Sequence, residues 1–326
     1  MLCIMDLHTD PYFNLAADEY MMRNFKEDCF MLWRNEPSII VGKHQNTLSE
    51  INIDYVKDNN IKVVRRITGG GAVFHDLGNL NFTFIRNSEE GANISFRKFT
   101  LPILEVLQKM GINAKFEGRN DLTIDGKKFS GNAEHVWKTR ALHHGTILFS
   151  AIITDLSAAL KVNPLKFSDK AVKSVRSRVT NISEHLPEKM DVLEFRDRIM
   201  KHIMEMYPES REYEYTPEDI ANIEKLRDEK FMTWDWNFGY SPLYDFKKMI
   251  RTEGGSIEFQ FNVKKGVITD IRIFGDFFHK NDIGEIEKSL IGVKHEHDAI
   301  VLALSKFDFN SYFKNIKLDE FIEGMF

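Results

Sequence analysis

Cysteine is scarce in this sequence, since only Cys3 and Cys29 occur among 326 residues. Two thiols are too few for the disulfide framework that stabilises many small secreted proteins. Free thiols persist in reducing compartments, so the sequence predicts a cytoplasmic protein.

The sequence also lacks an excess of positive charge. Its 44 lysines and arginines are outnumbered by 49 aspartates and glutamates, which gives a net charge of −5. Binding to nucleic acid without sequence preference depends on basic residues that neutralise phosphates. We therefore expect no nucleic-acid partner.

Long apolar segments are absent from the sequence as well. Nowhere do about 18 apolar residues follow one another without a charge, which is the length that a membrane-crossing helix requires. Near the N-terminus, Asp6, His8 and Asp10 interrupt the apolar residues, so this segment does not match a secretory signal peptide. We expect no association with a membrane.

The composition that remains is that of a globular protein, with 43% hydrophobic and 29% charged residues. A single core rarely extends beyond about 250 to 300 residues, so the length favours one large domain followed by a small one. A new alternation of apolar and polar residues begins after Gly254, beyond an aromatic segment at 234–240. We therefore predict a large domain over residues 1–246 and a small one over residues 247–326.

Short-range patterns predict a mixture of helices and strands. Apolar residues at helical spacing predict a helix over residues 14–25 with Asn14 as its N-cap. Strand-like runs at 30–34 and 38–41, separated by turn-forming residues, predict a hairpin. The dipeptide Asp125-Gly126 between two β-prone runs predicts a second hairpin.

Three consecutive glycines, Gly69, Gly70 and Gly71, follow a predicted strand. Residues without Cβ allow the backbone to approach a ligand closely and to point its N–H groups at an anion. Arg65 and Arg66 precede the loop, and His75 and Asp76 follow it closely. A tight turn or a β-bulge would give the same triple glycine, and the spacing matches neither a P-loop nor a dinucleotide-binding fingerprint.

Two lysines, Lys127 and Lys128, follow the Asp-Gly turn on its outgoing strand. Neighbouring residues of a strand face opposite sides, so at most one of these lysines can enter a pocket, and the pattern alone does not select it. A solvated lysine pair is the other interpretation. The nearby Asp121 could hold Mg2+ against phosphates or form a turn, and His143-His144 lacks the spacing of a zinc site.

Six blocks of the sequence, in this order, resemble the lipoate-protein ligase A family of the biotin/lipoate protein ligase superfamily. They are LWRNEPSIIVGKHQN at 32–46, RRITGGGAVFHDLGN at 65–79, GRNDL at 118–122, KFSGNA at 128–133, HHGT at 143–146 and VRSRVTN at 175–181. The resemblance covers nearly the whole chain. It departs from the commonest family pattern at Thr68, where serine is more usual, although the hydroxyl is retained.

The resemblance implies an α+β fold of mixed, mainly antiparallel sheets. Residues 1–246 would form a catalytic domain like those of class II aminoacyl-tRNA and biotin synthetases, and residues 247–326 a small α/β C-terminal accessory domain. The family's Lys-x-Ser-Gly-x-Ala motif selects Lys128 as the catalytic residue. The positions implied to bind ATP and lipoyl-AMP are Arg66, Thr68, Gly69, Gly70, Gly71, Ala72, Val73, Phe74, Asn79, Asn120, Lys128, Ser130, Gly131 and Ala133. Those implied to surround the lipoyl tail are Trp33, His75, His144 and Gly145, and Asp121 is the implied Mg2+ ligand.

The resemblance also implies an activity, that of a lipoate–protein ligase in lipoate salvage. Such an enzyme activates lipoate with ATP and Mg2+ to lipoyl-AMP and transfers the lipoyl group to a lysine of a lipoyl carrier domain. The carriers would be 2-oxoacid dehydrogenase acyltransferase subunits or the glycine cleavage H protein. Octanoate shares the chain length and carboxylate of lipoate and is the alternative substrate. We expect a monomer without a tightly bound cofactor, and a loop at 166–178 that orders over the nucleotide.

Two other functions remain open from the sequence. An acyltransferase that works through an acyl-cysteine needs a thiolate in its pocket, whereas Cys3 and Cys29 lie outside the motifs above. A non-catalytic homologue, or a relative of the biotin ligases, would share the fold, because fold does not fix function. The complete set of motifs argues against a homologue that has lost its catalytic activity. The arginine–glycine loop of biotin ligases does not occur in the chain, which argues against a relative of those enzymes.

Overall fold

The computed structural model describes residues 1–87, 96–117, 121–160, 179–241 and 244–326. Within these ranges the chain forms two compact units, one of residues 1–43 and 50–233 and the other of residues 44–49 and 234–326. Both combine helices with sheets, which confirms the predicted α+β class. The predicted division between residues 246 and 247 stays a prediction. None of the described helices is long and apolar enough to cross a membrane.

The strands of the first unit form two sheets. In chain order they are β1 (Leu2–Met5), β2 (Cys29–Trp33), β3 (Ser38–Val41), β4 (Lys62–Arg65), β5 (Val73–His75), β6 (Asn79–Asn87), β7 (Ala114–Glu117), β8 (Asp121–Ile124), β9 (Lys127–Trp137), β10 (Arg140–Leu148) and β11 (Arg211–Glu212). The larger sheet has the order β11–β1–β2–β6–β10–β9–β8–β7, and the smaller one has the order β4–β3–β5. Both sheets mix parallel and antiparallel pairs.

The helices described in this unit connect and cover the sheets. They are α1 (Pro11–Asn24), α2 (Thr47–Glu50), α3 (Ile53–Asp58), α4 (Phe96–Lys109), α5 (Ile153–Ala159), α6 (Val192–Met206) and α7 (Pro217–Leu226), with α2 shared between the two units. Side chains of β6 alternate between the two faces of the larger sheet. Phe82 and Phe84 pack in a core with Phe99 of α4 and Phe195 of α6. Thr83 faces the other way and donates a hydrogen bond to Asp18 of α1, which places α1 on the opposite face.

The predicted start of the first helix was wrong. The helix α1 begins at Pro11, whose fixed φ suits a first helical position, and Asp10 is its N-cap. Asn14 instead lies buried inside the helix, where its amide donates to the carbonyl oxygens of His8 and Arg34, each at 3.0 Å. A short polar side chain such as that of Asn14 is typical of an N-cap, which explains the wrong prediction. In the structure this side chain forms hydrogen bonds with the backbone of other segments instead.

The hairpin predicted from residues 30–34 and 38–41 was also wrong. Strand β2 pairs with β1 and β6 in the larger sheet, whereas β3 pairs with β4 and β5 in the smaller one. Every residue of β2 and β3 is buried, so neither strand has the polar face that a hairpin at the surface would show. By contrast, the hairpin at Asp125-Gly126 is confirmed by the pairing of β8 with β9.

The second unit is built on the antiparallel sheet β12–β13–β14. Its strands are β12 (Tyr244–Thr252), β13 (Gly255–Lys264) and β14 (Val267–Gly275), and its further helices are α8 (Ile283–Leu290), α9 (His297–Leu304) and α10 (Leu318–Gly324). Phe259 of β13, Phe321 of α10 and Phe313 belong to a separate hydrophobic core. Strands β13 and β14 form a hairpin through the turn at Lys265-Gly266, and both residues of this turn have positive φ.

Candidate functional site

A cavity in the first unit lies between the triple-glycine loop, α1, and strands β9 and β10. Its volume is about 150 Å³, roughly ten times the space that one water needs. Many of the predicted site residues line it, namely Trp33, Arg66, Gly70, Gly71, Ala72, Val73, His75, Lys128, Gly131, Ala133, His144 and Gly145. The strands therefore bring motifs that lie far apart in the sequence to one pocket.

Arg66 holds the glycine loop in shape. Its guanidinium donates hydrogen bonds to the carbonyl oxygens of Gly69 at 2.6 Å, Gly71 at 2.8 Å and Ile40 at 3.1 Å. Gly70 between them has φ +93°, and a Cβ there would lie 2.9 Å from the guanidinium. Burial lowers the pKa of Arg66 to about 10, so it stays a cation at neutral pH. A buried positive charge and a glycine backbone thus form one wall of the cavity.

A directed chain of hydrogen bonds extends from Arg66 to a buried carboxylate. Arg66 Nε donates to Thr68 Oγ1 at 2.9 Å, and Thr68 Oγ1 lies 2.7 Å from His144 Nε2. On the other side of the ring, His144 Nδ1 lies 2.8 Å from Asp18 Oδ2. Because a carboxylate can only accept, Nδ1 of His144 carries a proton and donates it in a hydrogen bond to Asp18.

A second chain reaches the same carboxylate from the tail-pocket side. Trp33 Nε1 donates to Thr83 Oγ1 at 3.0 Å, and Thr83 Oγ1 donates to Asp18 Oδ1 at 2.8 Å. Asp18 is only 1% exposed. Hydrogen bonds through Asp18 therefore connect Trp33 of the predicted tail pocket with Arg66 of the glycine loop.

His75 is a buried residue of the cavity lining, with its ring centroid 6.0 Å from that of Trp33. Its Nδ1 is 3.1 Å from the amide nitrogen of Asn35. Burial, and then the positive charge of Arg66, lower the pKa of His75 to about 3, so the ring is neutral at physiological pH.

Lys128 lines an exposed part of the cavity, where its side chain is 41% exposed and forms an ion pair of 2.7 Å with Asp121. The main-chain amide of Thr180 donates to its carbonyl oxygen, which ties β9 to the residues that follow 178. A Cβ on Gly131 would come within 3.1 Å of Lys128 Nζ, so the ammonium lies over the strand that follows it. Lys127 is exposed and lines a separate depression with Thr154 and other residues.

Some predicted residues lie behind the cavity wall rather than on it. Phe74 is buried in the interior, Asn79 donates its amide to Asn81 Oδ1 at 2.9 Å, and Ser130 Oγ accepts from Asn132 at 3.3 Å. Thr68 acts through the hydrogen-bond chain described above. Asn120 and the loop at 166–178 lie outside the described residues.

Sequence reasoning missed several residues that line or support the cavity. Leu15, Ile40, Asn81, Asn132 and Thr146 complete its lining. Asp18 was missed as well, although Asp18 and Glu19 follow two alanines in a helix with a strongly buried face. Acidic residues at such positions are rarely buried without a partner, and that was the signal available.

The two cysteines are poor nucleophiles. Burial raises the pKa of Cys29 to about 12 and also raises the pKa of Cys3. Both thiols are therefore protonated near neutral pH, and neither lines the cavity. An acyl-cysteine mechanism lacks its thiolate here.

Comparison with known proteins gives a consistent result over both units. A family model for the lipoyl protein ligase A/B catalytic domain matches residues 10–204, and one for the bacterial lipoate protein ligase C-terminus matches residues 241–325. Lipoate–protein ligase 1 of Staphylococcus aureus is 45% identical over 97% of each chain. Lipoate-protein ligase LplJ of Bacillus subtilis is 43% identical over 96% of each chain.

Solved structures of similar proteins include ligand complexes. The bipartite lipoate protein ligase of Thermoplasma acidophilum, studied with its E2 lipoyl domain, has a TM-score of 0.67 at 32% identity and covers 73% of this chain and 96% of its own. A lipoate-protein ligase A bound with ATP has a TM-score of 0.65 at 29% identity, over 74% and 100%. LipL1 of P. falciparum, in complex with lipoate, has a TM-score of 0.61 at 29% identity, over 99% and 97%.

Proposed function

This chain belongs to the lipoate–protein ligase family, and we propose that it joins lipoate to carrier proteins in two half-reactions at the cavity described above. It is a ligase that binds lipoate and ATP. The observation that carries the proposed mechanism is the ammonium of Lys128 on an exposed part of a cavity that the buried side chains of Leu15, Trp33 and Ile40 also line. An acid with an apolar tail fits such a cavity, because Lys128 can meet its charge and the apolar side chains can contact its chain.

In the first half-reaction, a carboxylate oxygen of lipoate attacks the α-phosphorus of ATP. The bond from that phosphorus to the β-phosphate oxygen breaks, and lipoyl-AMP and pyrophosphate form. Lys128 holds the oxygens on which negative charge accumulates, and this stabilises the transition state more than the bound substrates. The main-chain N–H groups near Gly70 and Gly71 act on the same charge.

In the second half-reaction, the ε-amino group of a carrier lysine attacks the carbonyl carbon of lipoyl-AMP. An amide bond forms, the bond from carbon to the phosphate oxygen breaks, and the amine releases a proton. AMP leaves with its charge beside Lys128. Both steps depend on positioning and electrostatics.

Asp121 fits the requirements of a Mg2+ ligand. Mg2+ is commonly held by one or two carboxylates together with substrate phosphates, and no cluster of three acidic, histidine or cysteine side chains that could form a complete protein site occurs in the described ranges. The Asp121 carboxylate is 38% exposed beside Lys128, where the phosphates of ATP would enter. When bound, Mg2+ would neutralise charge on the triphosphate.

We propose that replacement of Asp121 by asparagine weakens this metal site. The Mg2+ concentration that gives half-maximal lipoyl-AMP formation should rise roughly tenfold, because one anionic ligand is lost. Asp125→Asn is the matched control, since Asp125 is an exposed aspartate in the turn of the same hairpin. Equal Mg2+ midpoints for the two variants would contradict the assignment of Asp121.

We infer the partners of the enzyme from its family. We propose that the acceptors are lipoyl carrier domains of 2-oxoacid dehydrogenase acyltransferase subunits or of the glycine cleavage H protein, and that the enzyme works in the cytoplasm as a monomer. We further propose that residues 1–246 carry the chemistry and that residues 247–326 form an accessory domain required for the complete two-step reaction. Intact mass of a carrier domain after incubation with ATP and lipoate tests the overall activity.

The assignment of Lys128 is tested against its neighbour. We expect Lys128→Ala to slow lipoyl-AMP formation by at least about a hundredfold in a single-turnover assay, because it removes the charge that stabilises the transition state. Lys127→Ala should change the rate by less than about twofold, as expected for an exposed side chain outside the cavity. Similar losses in both variants would reject the assignment.

A further inference from the structure

One ring nitrogen of His75 has no hydrogen-bond partner. Its Nε2 is buried and unpaired among the residues that the structure describes, and the side chain lines the cavity. The residue is only 3% exposed. Buried polar atoms are nearly always paired, so an unpaired one on a cavity wall points to a partner that enters the cavity.

The neighbouring amides determine which nitrogen of His75 carries the proton. The amide nitrogen of Asn14 faces three acceptors, the carbonyl oxygens of His8 and Arg34 and the Oδ1 atom of Asn35. Because carbonyl oxygens only accept, this group must be the NH2 end of Asn14. The side-chain amide of Asn35 therefore has its oxygen directed at Asn14 and its nitrogen directed at His75.

The amide nitrogen of Asn35 consequently donates to Nδ1 of His75 at 3.1 Å. An accepting Nδ1 has no proton, so the single proton of a neutral ring lies on Nε2. Burial and the nearby Arg66 keep the ring neutral by lowering the pKa of His75 to about 3. His75 therefore presents a neutral N–H donor to the cavity.

This donor lies in the buried part of the cavity lining, whereas Lys128 lies in an exposed part. Trp33 beside it and the lining residues Leu15 and Ile40 are each only 2% exposed, whereas the Lys128 side chain is 41% exposed. A substrate whose carboxylate meets Lys128 directs its tail toward His75. Among the buried side chains of the lining, His75 Nε2 and the amide nitrogen of Asn81 are the polar atoms without a partner in the described ranges.

We infer that His75 donates its Nε2–H to the dithiolane ring of lipoate and thereby selects lipoate over octanoate. The inference rests on the proposed function. A ring sulfur is a weak acceptor, but octanoate offers only C–H groups at the same depth and would leave the donor unpaired. A site that must pair a buried donor discriminates against a substrate that lacks the acceptor.

The test is the ratio of kcat/KM for lipoate to kcat/KM for octanoate, measured as acyl-AMP formation. In His75→Phe we expect this ratio to fall about tenfold, because the unpaired donor no longer penalises octanoate and lipoate loses its contact. His202→Phe replaces another buried histidine outside the cavity lining and should leave the ratio unchanged. Equal losses for both acids in His75→Phe would overturn the inference.

A second measurement uses the unaltered enzyme and does not depend on the folding of that variant. Nitrogen-15 NMR of histidine-labelled protein should show His75 as the neutral Nε2–H tautomer, with a resonance that shifts on addition of lipoate but much less with octanoate. An Nδ1–H tautomer, or equal shifts with the two acids, would refute it. Failure of the proposed function would look different, since the unaltered enzyme would form no acyl-AMP from either acid.

Discussion

Asp18 receives hydrogen bonds from two sides of the cavity. On one side, Thr83 bonds both to the indole of Trp33 and to Asp18. On the other side, His144 bonds to Asp18 and to Thr68, which in turn bonds to the buried Arg66. Hydrogen bonds to a buried charge are stronger than neutral ones, and loss of one partner leaves the others unsatisfied. Asp18 is therefore a positioning residue, because it orients side chains that line the cavity without lining it itself.

Replacement of Asp18 by asparagine should disturb both chains. An amide has one acceptor and one donor end, so it cannot accept from Thr83 and His144 in the way that a carboxylate does. We expect kcat/KM for lipoate activation to fall roughly tenfold to a hundredfold, mainly through a higher KM for lipoate, because Arg66 and Trp33 lose their fixed positions. Initial rates at varied lipoate and saturating ATP measure this effect.

Glu19→Gln is the matched control for Asp18→Asn. Glu19 is the next residue of α1 and is also buried, but it pairs with Arg23 and Lys230 instead of the cavity residues. Its replacement should lower the thermal midpoint and leave the KM for lipoate unchanged. If both variants raise that KM equally, general destabilisation of α1 explains the result and the positioning role is wrong.

Secondary structure was predictable at a turn whose backbone conformation demands particular residues. Asp125-Gly126 gave the correct hairpin, because a two-residue turn with positive φ at both positions requires such residues. The turn between β2 and β3 was predicted wrongly, since the same kinds of residue also connect strands of different sheets. Sheet membership depends on which buried faces pack together, and two fully buried strands carry no alternation that would reveal it.

The candidate site was predictable only where its residues lie together in a local motif. The glycine loop is a local motif, and its residues at 70–73 do line the cavity. Strand alternation showed that Lys127 and Lys128 face different sides but did not select between them, and the family motif was needed for that choice. The Asp18 chain crosses four separate segments, so no spacing in the sequence could have revealed it.

Each of the two units has its own hydrophobic core and holds a buried histidine that is neutral at physiological pH. His75 in the first unit has its pKa lowered to about 3, and His295 in the second has its pKa lowered to about 4, in both cases chiefly by burial. His295 stacks on Phe326 and its Nε2 lies 2.7 Å from the carbonyl oxygen of Met325. Both units therefore share one source of acid sensitivity.

The sign of this sensitivity follows from proton linkage. A histidine of the unfolded chain titrates near pH 6.5, so below that pH the unfolded state binds protons that the folded state does not. The contribution of each histidine is fully present above about pH 6.5 and is lost as the pH falls toward the folded pKa, about 4 for His295 and about 3 for His75. The free energy of unfolding should decrease by about 2 kcal/mol per histidine between pH 6.5 and 5.

Urea unfolding at about pH 7 and pH 5 measures this loss for the whole molecule. His295→Gln keeps a donor for the carbonyl oxygen of Met325 but does not titrate, so the second unit should lose about 2 kcal/mol less on acidification than it does in the unaltered protein. His279→Gln, at an exposed position of the same unit, should behave like the unaltered protein. If His295→Gln loses as much stability on acidification as His279→Gln, other groups cause the acid sensitivity of that unit and the linkage to His295 is wrong.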